Sequence, residues 1–354
     1  MHFKKQTILL ITLLTLGLLT SVVVYTKSDF ISKDKERTES IDEIAINAAN
    51  TPAPFAELTI PFLRNREYTS TLGPLEQVDQ HTIFTSYLTS YVSDDNRINA
   101  LLTKPSGTPP AEGWPAIVFV HGYIPPASYK TLEKYVDYVN SLARSGFVVF
   151  KIDLRGHGNS EGIATGSYYS SGYVIDTLHA IAALQTSGFV NKDSIGLWGH
   201  SMAGNIVLRS LAVQPSIPAA VIWAGAGFSY EDLRKYGLND NSYRRPNPSA
   251  QPQSERQRLF SEHGMFTPDS LFWKEVAATN YVRDLKGAIQ LHHAEDDATV
   301  SSNYSKDLTA LLQTTEVPHE SYLYSSGGHN ISGANFTVAM QRTIAFYKKY
   351  LGGE

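Results

Sequence analysis

Apolar runs and helical spacing alternate along this chain, and the alternation predicts strands separated by amphipathic helices. The predicted strands are residues 87–91, 98–102, 116–120, 147–152, 194–198, 219–223, 288–291 and 320–324. The predicted helices cover residues 132–142, 174–184, 206–213 and about 334–351. Strands that are apolar on both faces and separated by helices indicate a mostly parallel central sheet with helices on both faces.

One polar segment interrupts this alternation at about residues 228–280. It is rich in Arg, Pro and Asn, and its position predicts a cap insertion above the sheet. Its basic side chains either attract an acidic group of a substrate or form a solvated cap surface. They are Arg234, Lys235, Arg244, Arg245, Arg256 and Arg258.

The N-terminal 25 residues contain an uncharged run, residues 7–25, that is long enough to span a bilayer as a helix. We expect residues 1–25 to be a signal anchor or transmembrane segment, and a cleaved signal peptide is the alternative. Lys4 and Lys5 precede the run, so the rest of the chain is expected outside the cytoplasm. Residues 26–78 are interpreted as a linker and N-terminal extension, and residues 79–352 as the catalytic domain.

Composition removes several classes of function. The chain has 354 residues, a formal net charge of −4 and no cysteine. Without a basic surplus, nucleic acid is not an expected partner. The absence of cysteine excludes disulfides, cysteine nucleophiles and thiolate metal sites.

A candidate nucleophile, Ser201, lies where a predicted strand passes into a predicted helix. The residues around it, Gly199-His200-Ser201-Met202-Ala203, fit the nucleophile elbow, a sharp turn that needs small neighbours. Alanine stands at position 203, where the usual motif has glycine. The alternative interpretation is a glycine-rich helix start with Ser201 as its N-cap.

Candidates for the acid and the base follow Ser201 in the order that elbow hydrolases require. Asp297 follows a predicted strand and precedes Val300 by three positions, while Asp296 is the second candidate for the acid. His329 follows a glycine pair after the last predicted strand and is the predicted base. The adjacent histidines His292 and His293 could instead suggest metal ligation, but neighbouring strand residues point to opposite faces.

The predicted oxyanion hole uses two backbone N–H groups, those of Tyr123 and Met202. Tyr123 follows His121-Gly122 at the end of the strand 116–120, and Met202 follows the nucleophile. His121 is a weaker alternative as the proton-transferring base.

These motifs resemble the prolyl-oligopeptidase-like branch of the α/β hydrolases, the bacterial S9-type peptidase catalytic domains in particular. The resemblance rests on Val120-His121-Gly122-Tyr123-Ile124-Pro125-Pro126, on Asp153-Leu154-Arg155-Gly156-His157-Gly158-Asn159-Ser160-Glu161-Gly162, on Trp198-Gly199-His200-Ser201-Met202 and on Gln290-Leu291-His292-His293. It implies an α/β-hydrolase fold and a Ser201-His329-Asp297 triad without metal or organic cofactor.

The resemblance leaves the substrate open between an ester and a short peptide. About 55 residues separate the predicted membrane segment from the first predicted strand, too few for the β-propeller of prolyl oligopeptidases. The sequence therefore predicts a serine hydrolase that cleaves ester or amide bonds through an acyl-enzyme. A carboxylesterase or acyltransferase on the same triad is the alternative, and an inactive binding scaffold is a remote one.

Overall fold

The computed structural model describes residues 53–238 and 255–352, which contain one nine-stranded sheet. Its strands are β1 (Glu76–Gln80), β2 (Phe84–Ser93), β3 (Asn96–Pro105), β4 (Trp114–Val120), β5 (Val148–Ile152), β6 (Val190–His200), β7 (Ala219–Trp223), β8 (Ala288–Ala294) and β9 (His319–Tyr324). The spatial order is β1-β2-β3-β5-β4-β6-β7-β8-β9. Strands β1 to β3 are antiparallel, and the six strands from β4 to β9 are parallel. All eight predicted strands are present.

The central strands are buried on both faces, which explains why they are apolar at every position. In β4, Ile117 and Phe119 pack into one core, while Val118 packs into the core on the opposite face. Successive side chains of a strand point to opposite faces, so a strand between two helical layers needs an apolar residue at every step.

Nine helices of the described residues surround the sheet. They are α1 (Ile60–Arg64), α2 (Val136–Arg144), α3 (Gly172–Gln185), α4 (Ala203–Val213), α5 (Tyr230–Tyr236), α6 (Glu255–His263), α7 (Leu271–Val276), α8 (Asn303–Leu312) and α9 (Ala334–Leu351). Buried residues of α2 and α9 share one core, and those of α3, α4 and α8 share the other. The expected α/β-hydrolase fold, a mostly parallel sheet between two helical layers, is therefore confirmed.

The helix predicted at residues 132–142 begins four residues later than expected. Leu132 is 49% exposed, and Tyr135 has a left-handed backbone with φ of 59° immediately before α2. A left-handed residue cannot continue an α-helix, so the preceding segment is irregular. The buried Lys151 ammonium donates hydrogen bonds to the carbonyls of Thr131 and Lys134 there.

The predicted boundary at residue 79 falls inside β1. All five residues of β1 are exposed, so this edge strand has no alternating apolar pattern from which it could be predicted. Upstream, α1 buries Ile60 and Leu63 in the core, and the Arg64 Nε atom donates a hydrogen bond to the carbonyl of Ala212 in α4. Residues 57–78 belong to the same compact unit as the sheet.

The cap segment contains an aromatic cluster that its polar composition did not indicate. Trp273 of α7 is fully buried, and its ring lies 4.7 Å from that of Tyr230 in α5 and 5.9 Å from that of Phe260 in α6. Basic cap residues contact protein groups: Lys235 pairs with Asp307, and Arg256 lies over the Tyr169 ring. Arg244 and Arg245 lie outside the described residues.

The predicted anchor, residues 1–25, also lies outside the described residues and stays a prediction. Among the helices of residues 53–238 and 255–352, none combines the length and the apolar character that crossing a bilayer requires.

Candidate active site

The chain order of the parallel strands reverses at β4, which pairs with β5 on one side and with β6 on the other. Ligands of open α/β sheets bind outside the carboxyl ends of the strands at such a reversal. Val120, the last residue of β4, is paired with Gly199 near the end of β6. The His121-Gly122-Tyr123 turn and Ser201 therefore leave the sheet side by side.

Ser201 occupies a strained turn between β6 and α4. Its φ is 57°, in the left-handed region that residues with a side chain rarely adopt. Its N–H donates to the carbonyl of Trp223 in the neighbouring strand at 3.0 Å, and its carbonyl accepts from Gly204 and Ala226. These hydrogen bonds hold the strained backbone in place. The conformation is that of a nucleophile elbow rather than of a simple N-cap, for which an extended backbone is usual.

Two glycines allow this turn to pack closely. A Cβ atom on Gly199 would lie 2.7 Å from the Val207 side chain and 2.9 Å from the carbonyl oxygen of Ala203. A Cβ atom on Gly204 would lie 2.7 Å from the backbone of Gly225. Ala203 is fully buried at the first position of α4, so the turn accommodates its methyl group. The departure from the usual motif at position 203 thus leaves the elbow intact.

The structure brings Ser201, His329 and Asp297 into a hydrogen-bonded line. The His329 Nε2 atom lies 2.9 Å from the Ser201 Oγ atom, and the His329 Nδ1 atom lies 2.8 Å from the Asp297 Oδ2 atom. A carboxylate only accepts, so a neutral His329 donates its Nδ1–H to Asp297. Its Nε2 lone pair is then directed at the Ser201 hydroxyl. The Asp297 side chain is fully buried, whereas the His329 side chain is 20% exposed.

Several donors hold the Asp297 carboxylate in its charged form. Its Oδ1 atom accepts hydrogen bonds from the N–H groups of Thr299 and Val300 at 2.8 and 2.9 Å. Its Oδ2 atom lies 3.2 Å from the Nε2 atom of His293. Burial by itself raises the pKa of Asp297, but the hydrogen bonds from His293 and His329 outweigh it and hold this pKa below its usual range. This contribution of His293 could not be predicted from the sequence.

Asp296, the second candidate for the acid, contacts the loop that carries His329 rather than His329 itself. Its carboxylate oxygens accept hydrogen bonds from the N–H groups of Gly327 and Gly328 at 3.2 and 2.8 Å. Gly327 has a φ of 130° and Gly328 a φ of 59°, so the glycine pair forms a turn that Asp296 fastens. Asp297 therefore holds the His329 side chain, and Asp296 holds the loop that carries it.

The two predicted oxyanion donors border the site. Tyr123 follows β4 and lines the cleft beside Ser201. Met202 immediately precedes α4, whose first N–H groups have no carbonyl partner within the helix. The positive end of the helix dipole is directed at the same place, which favours a developing negative charge.

The remaining candidate histidines have other surroundings. His121 is fully buried, its Nδ1 atom lies 2.7 Å from the carbonyl oxygen of Gly122, and burial lowers its pKa well below the usual range. His292 and His293 point to opposite faces of β8, as expected for strand neighbours. His292 contacts Tyr324 and Gln290 on one face, and His293 contacts Ser305 on the other.

A cleft of about 610 Å³ opens beside Ser201 and His329. The first turn of α2 forms one wall and the start of α9 another. The sequence did not indicate that these residues line a cleft, because the aromatic residues among them also fit a packed core. The wall residues include Lys134, Tyr135, Asp137, Tyr138 and Phe336.

Two family models match parts of the chain that include Ser201. The model described as serine aminopeptidase, S33, matches residues 114–241. The model described as BAAT / Acyl-CoA thioester hydrolase C terminal matches residues 178–354, half of the chain. The chain belongs to this second family. It is therefore an enzyme of the hydrolase class with the α/β-hydrolase fold, as the sequence motifs predicted.

Solved structures with the same fold include peptidases and esterases. Porphyromonas gingivalis dipeptidyl peptidase 4 is 22% identical, with a TM-score of 0.58 over 76% of this chain and 36% of that one. Pyrococcus horikoshii acylaminoacyl peptidase is 18% identical, with a TM-score of 0.58 over 78% and 43%. Acetyl xylan esterase 1 from Thermoanaerobacterium is 19% identical, with a TM-score of 0.55 over 81% and 91%. The chain thus spans less than half of either peptidase and nearly all of the esterase.

Proposed function

We propose that the protein is a serine hydrolase that cleaves carboxylic esters through an acyl-enzyme on Ser201. The observation that carries this proposal is the line of hydrogen bonds from Ser201 through His329 to Asp297. In this arrangement each group has one role: Ser201 is the nucleophile, His329 the general base and Asp297 the group that fixes the histidine tautomer.

In the first half of the proposed reaction, the Ser201 Oγ atom attacks the substrate carbonyl carbon while its proton passes to the His329 Nε2 atom. The carbonyl oxygen becomes an oxyanion that accepts hydrogen bonds from the backbone N–H groups of Tyr123 and Met202. The tetrahedral intermediate then expels the leaving group, which takes the proton from His329. Ser201 is left acylated.

In the second half, water replaces the leaving group. His329 removes a proton from the water as its oxygen attacks the acyl carbon, and the second tetrahedral intermediate expels the Ser201 oxygen. The proton on His329 returns to Ser201, and the carboxylic acid leaves. No step requires a metal or an organic cofactor.

Ester rather than amide substrates are proposed because the chain covers a larger share of the similar esterase than of the similar peptidases. The chain spans 91% of the acetyl xylan esterase but 36% of the dipeptidyl peptidase and 43% of the acylaminoacyl peptidase. The cleft beside Ser201 is open to solvent rather than enclosed. A short peptide amide remains the second substrate class, since the serine aminopeptidase model matches the part of the chain that contains Tyr123 and Ser201.

A related candidate is acyl transfer to an acceptor other than water. Membership of the BAAT / Acyl-CoA thioester hydrolase family favours this candidate, with a thioester as the acyl donor. Chemically it changes only the second half-reaction, because an alcohol or amine then attacks the Ser201 acyl group. Product analysis with and without an added alcohol acceptor separates the two.

The test compares the full-length protein with its Ser201→Ala variant. Both are assayed on p-nitrophenyl acetate, an acyl-CoA thioester and a proline-containing peptide amide, and both are treated with a fluorophosphonate probe. We expect wild-type protein to hydrolyse the ester and to be labelled, and the variant to do neither. A folded wild type that matches the variant on every substrate and resists the probe would instead indicate a binding scaffold.

A further inference from the structure

A chain of hydrogen bonds joins the three loops that surround Ser201. The N–H of Gly122, in the turn after β4, donates to the Tyr135 hydroxyl oxygen at 3.0 Å. That hydroxyl lies 2.9 Å from the Nδ1 atom of His200, the residue before the nucleophile. The Nε2 atom of His200 lies 2.9 Å from the carbonyl oxygen of His329. Four residues thus connect the oxyanion turn, the elbow and the β9–α9 loop.

Only one direction of donation satisfies every atom in this chain. The His329 carbonyl can only accept, so His200 donates its Nε2–H. The Nδ1 atom of a neutral His200 is then an acceptor, so the Tyr135 hydroxyl donates its proton to it. The Tyr135 oxygen keeps a lone pair for the Gly122 N–H. The arrangement therefore fixes both the tautomer of His200 and the rotation of the Tyr135 hydroxyl.

The surroundings keep these hydrogen-bonded residues neutral and tightly packed. His200 is 3% exposed, and burial, with the nearby His329, lowers its pKa to about 3. A Cβ atom on Gly122 would lie 2.9 Å from the Tyr135 hydroxyl and 3.1 Å from the His200 Nδ1 atom. Only glycine at position 122 leaves room for both partners.

Tyr135 reaches this position through an unusual backbone. Its φ of 59° ends the irregular segment after β4 and turns the chain into α2. A left-handed conformation is sterically unfavourable for an aromatic residue, and it persists only where contacts enforce it. In Tyr135, the left-handed backbone occurs together with hydrogen bonds between the side-chain hydroxyl and both Gly122 and His200. The tyrosine ring also lies 5.7 Å from the His200 ring.

We propose that Tyr135 and His200 are positioning residues, which hold the His329 loop and the oxyanion turn in register with Ser201. This inference rests on the proposed hydrolase function. Neither residue exchanges a proton with substrate. They act by fixing where the His329 backbone and the Gly122-Tyr123 turn lie, and small displacements of reacting groups slow a reaction strongly.

The first experiment measures kcat and KM for ester hydrolysis by full-length Tyr135→Phe. We expect kcat to fall by up to roughly a hundredfold while KM changes little, because the loss falls on alignment rather than on substrate binding. Tyr91→Phe is the matched control. It also removes a buried tyrosine hydroxyl, which donates to the Asp176 carbonyl at 2.8 Å, and it should keep the wild-type kcat.

A double-mutant cycle tests whether the two residues act as a unit. His200→Ala should lower kcat at least as much as Tyr135→Phe, and the double variant should be no slower than His200→Ala alone. His200→Gln retains a donor for the His329 carbonyl and should recover part of the loss. A Tyr135→Phe variant as fast as the Tyr91→Phe control, or fully additive losses in the double variant, would overturn the proposal.

Two further readouts need no turnover, so they separate this inference from the proposed function. In ¹⁵N-histidine NMR spectra, the His200 resonances, identified by their loss in His200→Gln, should be those of the Nε2–H tautomer. Amide hydrogen exchange at residues 327–330 should quicken in Tyr135→Phe and not in Tyr91→Phe. An Nδ1–H tautomer or unchanged exchange contradicts the proposal. Wild-type activity equal to that of Ser201→Ala contradicts the hydrolase function instead.

Discussion

The His329 Nε2 atom lies 2.9 Å from the Ser201 Oγ atom, although 128 residues separate them in the chain. The contact forms because both residues leave the carboxyl-end edge of one parallel sheet, Ser201 after β6 and His329 after β9. The N–H groups of Gly327 and Gly328 donate hydrogen bonds to Asp296, and these bonds hold the loop that carries His329 at that edge.

Replacement of the two neighbouring acids should have unequal effects. Asp297→Asn removes the charge that fixes the His329 tautomer, and we expect kcat to fall by roughly 10⁴-fold with KM nearly unchanged. Asp296→Asn keeps one of the two oxygen acceptors that bind the glycine pair, leaves Asp297 in place and should cost far less. Steady-state ester hydrolysis by both variants checks this. The reverse ranking would make Asp296 the acid of the triad.

The backbone strain at position 201 should be measurable by comparing two variants that lack the serine hydroxyl. Ser201→Ala and Ser201→Gly both remove the nucleophile, but only glycine adopts the φ of 57° without steric cost. We therefore expect the glycine variant to have a free energy of unfolding about 1 kcal/mol above that of the alanine variant. Urea denaturation of the two inactive variants measures the difference. Equal stability would show that the elbow is not strained.

The two small positions of the elbow should tolerate substitution differently. Gly199→Ala places a methyl group 2.7 Å from the Val207 side chain, and we expect it to cost about 1–3 kcal/mol of stability as well as activity. Ala203→Gly restores the usual motif and removes one methyl group at the start of α4. It should cost less than about 1 kcal/mol and leave kcat within a few fold of the wild-type value. Thermal unfolding and ester hydrolysis measure both effects.

Buried histidines should make the fold sensitive to mild acid. Burial lowers the pKa values of His200 and His292 to about 3, whereas an unfolded histidine titrates near 6.5. Between these values the unfolded state binds protons that the folded state does not. Each histidine therefore lowers the free energy of unfolding by up to about 1.4 kcal/mol per pH unit as the pH falls from about 6.5 towards 3.

His292→Gln tests this linkage away from the proposed nucleophile. Urea denaturation from pH 8 to pH 4 should show a shallower loss of stability in the variant below pH 6.5 and the same slope as wild type above it. Parallel curves across the whole range would mean that His292 is protonated in the folded state.

Much of the architecture could be predicted from the sequence because the signals are local. A strand buried on both faces must be apolar at every position, so the central strands were visible as runs. The elbow requires a serine between small residues, and the order of Ser201, Asp297 and His329 follows from the fold. Strand β1 could not be predicted, because its exposed residues have no alternating apolar pattern. Residues 132–135 were wrongly predicted as helix, because this irregular segment has apolar residues at helical spacing.

The contacts among the site residues were decided by tertiary structure alone. Nothing in the order of residues indicates that His293 approaches Asp297, that Asp296 binds the glycine pair, or that Tyr135 reaches His200. The sequence determined which residue types are present and which strands they follow, because strand burial and turn chemistry depend on near neighbours. The fold determined their partners, because hydrogen bonds between distant segments depend on how the strand ends and helices pack in three dimensions.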